Sequence, residues 1–334
     1  MFVFTQSNSA DGNALLAFRR GDDGTLTALD PVPTKGAGSG TAHLPSQGSV
    51  TLSGDHRHVF VTDAGSGSLA VFAVEQSGPA LRQATAAGTT PRSVAERDGL
   101  VYVLAAGDPA ISGFRWDGDA LTPLAGSRRA LPADTDPAQV GFGPAGLLIV
   151  TSRGRNELIA FPLLDSGLLG EPAATPSSGP TPYGFATTPG GGLVVTEAFG
   201  ARKGAAAASS YQVVDSRLSP VTRSTGNGRS EICWAVVTPD GRYAFTTNFA
   251  DGAISRWRIE SGSTLVLEDA TAAVTEDGRS GLRDEDLTGD GRFLFAIDAD
   301  AGQLRGWAVD GMGSLTPAGV AGGLPATVAG LAAF

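Results

Sequence analysis

The chain has 334 residues, a formal net charge of −10 and one cysteine, Cys233. The acidic balance argues against nucleic acid as a partner, because a nucleic-acid-binding surface would show a basic stripe. A single cysteine excludes an internal disulfide framework, and no apolar stretch approaches the roughly 20 residues of a membrane span. The 47 glycines and 20 prolines are typical of an all-β protein with many tight turns.

The first residues, Met1 to Thr5, already show a β pattern, with no basic segment and no cleavage site before it. We therefore expect a cytoplasmic protein, or an exported one if a signal peptide has been removed. We also expect a monomer.

A β-rich run, a polar residue, a glycine-rich turn and a second β-rich run recur seven times along the chain. Equivalent positions in the seven copies are Phe4, Val61, Val103, Val150, Val195, Thr246 and Ala296. Their spacing averages about 49 residues, which is typical of propeller blades with several strands each. Because no linker separates the copies, the period predicts seven blades in a single β-propeller domain over residues 1–334.

The sixth copy shows how one unit divides into strands. Cys233 to Val237 is an apolar inner strand, Arg242 to Thr247 is a second strand, Ala253 to Ile259 is a third, and Thr264 to Asp269 is a more polar outer strand. An inner strand is covered by neighbouring blades, whereas an outer strand is an edge that must resist pairing with other chains. The predicted fold class is therefore all-β, a seven-bladed β-propeller of four-stranded antiparallel blades.

The two ends of the chain predict how the ring closes. The first copy begins at Phe2 with a second-strand sequence and lacks an inner strand of its own. The C-terminal segment Pro325 to Leu331 matches the inner-strand pattern of Pro137 to Phe142. We expect the C-terminal strand to join the N-terminal blade, which removes the free edges of an open ring.

One copy departs from the others. In the fifth copy, the turn after Glu197 is expanded from Phe199 to Ser210. The segment is either a longer surface loop or a flexible lid, since loops longer than their counterparts often carry function.

Three kinds of turn carry a resemblance to a known family. They are Thr238 to Arg242 before a second strand, Thr62 to Leu69 within a hairpin, and the Gly-x-Leu-Thr turn at Gly24, which returns in similar form at Gly118 and Gly313. With these motifs the chain resembles the seven-bladed β-propeller lactonases, which include 6-phosphogluconolactonase-type and carboxymuconate-cyclase-type proteins. It looks closest to a bacterial, lactonase-like branch. The resemblance covers nearly the whole chain and implies a hydrolase that acts on a small lactone.

Lactonases of this family place His, Arg and Glu or Asp in the central channel, often with a Pro-His pair at the start of an inner strand. This sequence departs from that pattern. The prolines at the matching positions are followed by Ser46, Arg92, Ala138 and Tyr183. The histidine that the resemblance leads one to expect is therefore missing at these positions.

In a propeller, inner strands begin and second strands end on the same face, around the channel. This geometry would gather polar side chains into a funnel that suits a small-molecule ligand. The residues expected to contact the ligand are Arg92, Arg283, Gln47, Gln139, Tyr183, Trp234, Asn248 and Asp63.

Lactone hydrolysis needs a base that activates water and a cation or donor that stabilises the oxyanion. The candidate bases are Glu197, Asp298 and His43, with Arg92 or Arg283 as the electrostatic partner. His43 is the only histidine on the funnel side.

Each candidate also has a structural interpretation. Asp and Asn at the start of a turn commonly accept backbone hydrogen bonds, and Asp63, Asn248 and Asp298 occupy a position that repeats in several blades. His43 lies in a glycine- and serine-rich segment, where it can be an ordinary loop residue.

No cofactor is expected. Asp284 to Asp286 and Asp298 to Asp300 bring carboxylates close together, but the other oxygen ligands of a calcium loop are missing. The sequence leaves open a divalent cation in the channel. Cys233 lies in an apolar inner strand, where a small buried hydrophobic residue is expected rather than a reactive thiol.

Three functions remain open. The first is a lactonase-like hydrolase that acts on a small polar or anionic lactone at the mouth of the central channel. The second is a non-catalytic propeller scaffold that binds a ligand or a protein, for which Tyr183, Phe199, Phe249 and Trp234 can supply an aromatic face. The third is a lyase or isomerase acting on a cyclic carboxylic acid, as the cyclase-type relatives suggest.

Overall fold

Seven antiparallel sheets follow one another along the chain, and each forms one blade of a propeller. The computed structural model describes residues 1–275 and 278–334. The innermost strands of consecutive blades contact one another in a closed circle around the central channel. The predicted all-β, seven-bladed propeller is therefore confirmed.

The strands are numbered in chain order. Blade 1 contains β1 (Phe2–Gln6), β2 (Ala14–Arg20), β3 (Leu26–Ala28), β4 (Val32–Pro33) and the last strand of the chain, β30 (Ala329–Ala333). Blade 2 contains β5 (Val50–Leu52), β6 (His58–Asp63), β7 (Ser68–Glu75) and β8 (Gly78–Ala86). Blade 3 contains β9 (Pro91–Arg97), β10 (Leu100–Ala105), β11 (Ala110–Trp116), β12 (Leu121–Pro123) and β13 (Arg129–Ala130). Blade 4 contains β14 (Pro137–Phe142), β15 (Leu147–Ser152), β16 (Glu157–Pro162) and β17 (Ala173–Pro176).

The remaining blades have four strands each. Blade 5 contains β18 (Pro182–Thr187), β19 (Gly192–Glu197), β20 (Ala207–Val214) and β21 (Arg217–Gly226). Blade 6 contains β22 (Ile232–Val237), β23 (Tyr243–Asn248), β24 (Ala253–Ile259) and β25 (Leu265–Val274). Blade 7 contains β26 (Leu282–Leu287), β27 (Phe293–Asp298), β28 (Gln303–Val309) and β29 (Leu315–Gly322). In blades 1 and 3 the outer strand is broken into two short pieces, which gives those sheets a fifth strand.

Short 3₁₀ helices are the only helical segments within the described ranges. They span Pro144–Gly146, Phe199–Ala201, Phe249–Asp251 and Ser261–Ser263. None of them has the length or apolar character to cross a bilayer.

The C-terminal strand closes the ring. Strand β30 pairs antiparallel with β1, with Leu331 opposite Thr5 and Ala333 opposite Val3. The following residue, Phe334, packs its ring against Phe2, at a centroid distance of 6.1 Å. The predicted closure is confirmed, although the paired segment begins at Ala329, four residues after the predicted start at Pro325.

Apolar layers between neighbouring blades form the core. Seven such clusters occur, one at each blade-to-blade interface. Between blades 5 and 6, for example, Val194 packs in the same cluster as Trp257. Five of the seven second strands are buried along their whole length, and β6 and β23 are buried except for a half-buried first residue, because blades cover both of their faces. This sandwiching fixes the inner strands that line the channel.

The expanded turn of blade 5 is shorter than its sequence indicates. The segment contains the 3₁₀ helix Phe199–Ala201, and strand β20 begins at Ala207. The expectation of a loop as far as Ser210 is therefore wrong for its last four residues, which pair with β19. Their small side chains are buried in the sheet, so a run of alanine and serine indicates packing here rather than a loop.

Candidate functional site

Bulges near the start of several inner strands re-aim the side chains that follow. The pairing register shifts after Pro137 in β14, after Pro182 in β18, after Ile232 in β22 and after Arg283 in β26. A bulge places two residues opposite one and bends the strand, a device common beside functional sites. The residues at these four bulges include Gln139, Tyr183, Trp234 and Asp284.

At this end of the channel, His43 is surrounded by aromatic rings. Its Nε2 atom lies 3.2 Å from the hydroxyl of Tyr183. The ring centroids of Trp234 and Phe249 are 6.0 and 6.3 Å from that of His43. The imidazole keeps an exposed edge, whereas Tyr183 and Trp234 are buried beneath it.

Three arginines lie close enough to this histidine for their charges to act on it. The guanidinium of Arg153 lies over the Tyr183 ring, 5.1 Å from its centroid, and the charges of Arg283, Arg153 and Arg92 all act on His43. We call the end of the channel formed by His43, Tyr183, Arg92, Arg153 and Arg283 the mouth. The protein as a whole is acidic, so the mouth is a local concentration of positive charge.

Two of these arginines keep an unused donor. Arg283 donates from Nη2 to the carbonyl of Val328 at 2.7 Å and also contacts the carbonyl of Ala42, while Arg92 donates to the carbonyl of Pro137 at 3.3 Å. Among the residues that the structure describes, the buried Nε atoms of Arg92 and Arg283 nonetheless have no hydrogen-bond partner. Buried donors normally have a hydrogen-bond acceptor, so binding of an anion that could accept from these two Nε–H groups would be favoured.

The mouth sets the protonation state of its two central groups. Burial and, in decreasing order of effect, the charges of Arg283, Arg153 and Arg92 together lower the pKa of His43 to about 4. Burial also raises the pKa of Tyr183 well above its usual value. At neutral pH the site therefore holds a neutral imidazole and a protonated phenol beside permanent cations.

Asp284 lies next to Arg283 and is only 3% exposed. Its backbone φ of +40° is uncommon for a residue with a side chain. Burial raises the pKa of Asp284 to about 7, although Arg283, the Gly330 N–H and the Trp234 indole oppose that rise. This carboxyl group therefore titrates near neutral pH.

Glutamine side chains cross the channel below the mouth. Gln47 donates to the carbonyl of Ala235 at 2.8 Å and accepts from its N–H at 3.2 Å, which joins blade 2 to blade 6. Gln139 makes the same pair of bonds with Phe185, at 3.1 and 2.6 Å. Trp234 donates its indole N–H to the carbonyl of Ser46 at 2.8 Å. The predicted ligand contacts Gln47, Gln139 and Trp234 thus form a plug that ties inner strands together.

Beyond this plug, the channel widens toward the opposite face. Two cavities of about 460 and about 400 Å³ lie there, and both are lined by Gln47, Gln139 and Asp286. Among the charged groups that line the larger one, Glu96 accepts from two backbone N–H groups, Asp286 accepts from the N–H groups of Leu287 and Ala333, and Arg97 donates to the Gly143 carbonyl. Glu285 also lines this cavity, and its Oε2 atom has no hydrogen-bond partner among the described residues. In the part of the chain that the structure describes, one guanidinium, that of Arg97, lines this cavity, whereas the charges of three act on His43 at the mouth.

The structure places the predicted carboxylates in blade turns, away from the mouth. Glu197 accepts hydrogen bonds from the Gly179 N–H at 2.9 Å and from the Ser209 hydroxyl at 2.6 Å. Asp298 forms an ion pair with Arg305 at 2.7 Å. These contacts hold the turns, and the Oε2 atom of the buried Glu197 has no hydrogen-bond partner among the described residues.

The other two second-strand ends are held in the same way. Asp63 accepts from Thr34 at 2.6 Å and from Asn13 at 2.9 Å, and Asn248 donates to Ser255 at 2.9 Å. Of the predicted residues, the structure thus gathers His43, Arg92, Arg283 and Tyr183 at the mouth, with Trp234 beneath them.

Sequence reasoning missed two residues of this site. Arg153 directly follows the end of β15, and Asp136 directly precedes β14. Each is next to a position that the blade pattern singled out. A search one residue to either side of every strand end at the channel would have found them.

Within the described ranges, no three His, Cys, Asp or Glu side chains are grouped closely enough to hold a metal ion. The carboxylates of the seventh copy are dispersed. Asp298 pairs with Arg305, Asp300 contacts Ser280, and the acids of β26 are buried at different heights of the strand.

The raised pKa of Asp284 makes stability depend on pH. The value of about 7 lies above the roughly 3.9 of an unfolded aspartate. Between these values the folded protein binds more protons than the unfolded chain, so the free energy of unfolding falls as the pH rises toward 7. Three pKa units correspond to on the order of 4 kcal/mol. We expect Asp284→Asn, which mimics the protonated carboxyl, to reduce this fall in urea unfolding measured at pH 5 and pH 8, and the part that remains to come from Asp286, whose pKa burial also raises to about 7. An unchanged slope would show that Asp284 does not titrate in this range.

No family model and no curated protein matches this sequence. Similar solved structures share its architecture. A protein from Lactobacillus plantarum has a TM-score of 0.77 and 14% identity over 99% of this chain and 98% of the other. A provisionally assigned 6-phosphogluconolactonase from Bacteroides uniformis has a TM-score of 0.74 and 15% identity over 98% of both chains. The periplasmic gluconolactonase PpgL of Pseudomonas aeruginosa has a TM-score of 0.70 and 15% identity over 98% of this chain and 99% of the other.

At this level of identity the likeness concerns the fold. The structural relatives of this chain include propellers with lactonase names, so the resemblance predicted from its turns is confirmed at that level. The chemistry of the mouth has to be argued from its own residues.

Proposed function

We propose that the protein is a lactonase-like hydrolase that acts on a small anionic lactone at the mouth. The observation that carries the proposal is the neutral imidazole of His43, 3.2 Å from the Tyr183 hydroxyl and surrounded by Arg92, Arg153 and Arg283. A neutral base beside several fixed cations is the pair of features that ester hydrolysis on an anionic substrate requires.

The arginines would bind the anionic group of the substrate and polarise its lactone carbonyl. The unpartnered Nε donors of Arg92 and Arg283 are buried in protein, where a charge-assisted hydrogen bond is stronger than in water. A guanidinium near the carbonyl oxygen would stabilise the negative charge that develops there in the transition state.

The reaction would proceed by attack of water on the carbonyl carbon. His43 takes a proton from the water as its oxygen bonds to that carbon, and the carbonyl oxygen becomes an oxyanion. When the tetrahedral intermediate collapses, the ring C–O bond breaks and the His43 imidazolium returns the proton to the leaving alkoxide. The product is an open-chain hydroxy acid. Tyr183 holds the imidazole in position through its hydroxyl.

Substrate binding would also strengthen the base. The pKa of His43 is about 4 in the free site because of burial and three nearby cations. A bound anion offsets those cations, and an opposite charge within a few ångströms favours the protonated imidazole. His43 is therefore a better base in the complex than in the free protein, so the catalytic group is activated where the substrate is present.

Two similar structures support this choice of reaction, because their names describe a gluconolactonase and a provisionally assigned 6-phosphogluconolactonase. These names support only the class of reaction. That the substrate is negatively charged is inferred from the arginines at the mouth of this chain.

The proposal predicts that Arg153 discriminates between charged and neutral lactones. A matched pair of substrates is 5-oxotetrahydrofuran-2-carboxylate and γ-butyrolactone, which share one ring and differ in the carboxylate. We expect Arg153→Met to raise KM for the charged lactone by about 10- to 100-fold, since it removes one charge-assisted contact, and to leave the neutral lactone nearly unchanged. Proton release measures both reactions.

Arg155→Met is the matched control. Arg155 lies two residues along the same loop and pairs with Asp134 at 3.0 Å and with Glu157 at 2.7 Å. The Arg155→Met variant should keep KM for both lactones near the values of the unmodified protein. If neither lactone is hydrolysed, or if Arg153→Met affects both lactones equally, the proposal is wrong.

A second candidate function is a non-catalytic binding scaffold. The plug of Gln47, Gln139 and Trp234 favours it, because the channel is closed below the mouth by side chains that hold blades together. A shallow cationic mouth over such a plug suits the binding of an anionic ligand without turnover. Saturable binding of the carboxylated lactone, with no proton release, would support this function over hydrolysis.

A further inference from the structure

Asp136 lies at the mouth, where one of its carboxylate oxygens forms ion pairs with two arginines. Its Oδ1 atom is 2.7 Å from Nη2 of Arg153 and 3.6 Å from Nη1 of Arg92. The Asp136 side chain is 54% exposed, whereas those of Arg92 and Arg153 are 13% and 15% exposed. The carboxylate therefore covers the two guanidinium groups on the side that faces solvent, where an anionic ligand would approach.

The backbone also fixes this carboxylate in place. Asp136 has a φ of +39°, in the left-handed region that most residues with a side chain avoid and that Asp and Asn adopt more readily than the others. Its carbonyl accepts a hydrogen bond from the Arg153 N–H at 3.3 Å, and the next residue, Pro137, accepts one from Arg92. A strained residue with this many constraints is held by its surroundings, a feature that clusters at functional sites.

We propose that Asp136 is a specificity-determining residue of the mouth. It acts as a fixed internal anion that aligns Arg92 and Arg153 and lowers the positive charge of the site. The mouth then accepts a singly charged carboxylate in preference to a doubly charged phosphate. This inference rests on the proposed function and adds the class of substrate, a lactone that carries one carboxylate.

Charge arithmetic supports the preference. Three arginines and Asp136 give the mouth a formal charge of +2 when His43 is neutral and Asp284 is protonated, and of +1 at pH 8, where Asp284, whose pKa is about 7, is ionised. Attraction to that charge grows in proportion to the charge of the ligand, whereas the cost of removing the ligand from water grows with the square of its charge. Each negative charge that the protein itself places at the mouth therefore raises the affinity for a singly charged ligand relative to that for a doubly charged one.

Removing the charge of Asp136 should raise the affinity for a doubly charged ligand relative to that for a singly charged one. One charge at about 5 Å in a partly exposed site changes affinity by about tenfold per unit of ligand charge. A doubly charged phosphate would gain about tenfold more than a carboxylate from Asp136→Asn. Asp136→Glu keeps the charge and should retain the original preference.

The test uses two sugars that differ only at C6, which is the carboxylate carbon in glucuronate and a CH2 that carries the phosphate in glucose 6-phosphate. Titration calorimetry at pH 8 measures both dissociation constants, with the phosphate doubly charged because its second pKa is about 6. We expect the unmodified protein to bind glucuronate at least as tightly as glucose 6-phosphate. Asp136→Asn should shift the ratio of the two constants about tenfold toward the phosphate.

Asp134→Asn is the matched control. Asp134 lies two residues before Asp136 in the same loop, and its exposed carboxylate pairs with Arg155 instead of with the arginines of the mouth. This variant should leave the ratio unchanged. Tighter binding of glucose 6-phosphate by the unmodified protein, an unchanged ratio in Asp136→Asn, or binding of neither sugar at millimolar concentration would each overturn the inference. The preference of the unmodified protein needs no variant, so that part of the test stands even if Asp136→Asn does not fold.

This experiment is independent of catalysis. Neither sugar is a lactone, so the ratio is measurable whether or not the protein hydrolyses one. A protein with the expected ratio and no lactonase activity would refute the proposed function and retain the role of Asp136 in selecting the bound anion.

Discussion

Replacing His43 with alanine is expected to lower kcat for a carboxylated lactone by about 10²- to 10⁴-fold, the usual contribution of a positioned general base. The variant should still bind the substrate, because the arginines of the mouth remain. The loss should therefore fall on kcat far more than on KM. Initial rates of proton release over a range of substrate concentrations separate the two constants.

The pH profile gives this prediction a signature that a structural role would not produce. Catalysis needs the neutral imidazole, and the pKa of His43 is about 4 in the free protein. The acid limb of kcat/KM, which reports the free protein, should therefore lie near pH 4. The limb of kcat, which reports the complex, should lie at higher pH because the bound anion offsets the arginines. Both limbs should vanish in His43→Ala.

His56→Ala is the control for this experiment. His56 is exposed and lines the larger cavity at the opposite end of the channel. Its replacement should change neither kcat nor the pH profile. If His56→Ala removes activity and His43→Ala does not, the reaction takes place at that opposite end.

The blade architecture could be predicted from the sequence because it repeats. All seven equivalent positions, from Phe4 to Ala296, fall in the second strands of their blades. In the sixth copy, the predicted third strand Ala253 to Ile259 has the bounds that the structure shows. Errors occur where a copy is irregular, as at the outer strands and at the alanine-rich start of β20.

The site could be predicted only in part, because its residues do not repeat. His43 and Arg283 were identified from their positions around the channel. The sequence could not show that Glu197 would be buried in the turn of its blade, since that depends on the Gly179 N–H and the Ser209 hydroxyl reaching it. It also could not show that Gln47 would span the channel to Ala235, a contact across 188 positions in the chain.

Deleting Pro325 to Phe334 is expected to abolish the cooperative fold or to lower Tm by more than 10 °C. The deletion removes β30 and with it the partner of β1, so an apolar edge is opened to solvent. Val328 and Leu331 are buried, and each side chain contributes about 1.5–3 kcal/mol. The loss approaches the 5–15 kcal/mol that a typical domain has in total. Thermal unfolding followed by circular dichroism measures it.

The deletion also affects the mouth, because the buried Arg283 donates to the carbonyl of Val328. Removing that acceptor leaves a buried charge without its partner, which costs more than an ordinary lost hydrogen bond. We therefore expect anion binding at the mouth to fail in any truncated protein that remains folded. Adding the peptide that corresponds to residues 325–334 should restore both Tm and binding. Removal of Phe334 alone is the control and should have a much smaller effect.

A circular permutant separates closure of the ring from the length of the chain. Phe334 packs against Phe2, so a short linker can join the two termini. New termini can be placed at Met312, which is 72% exposed in the turn before β29. This protein keeps the pairing of β30 with β1, and it should retain a Tm close to that of the original chain. If the permutant is as unstable as the truncated protein, β30 does not stabilise the ring by closing it, and the contribution assigned to that pairing is wrong.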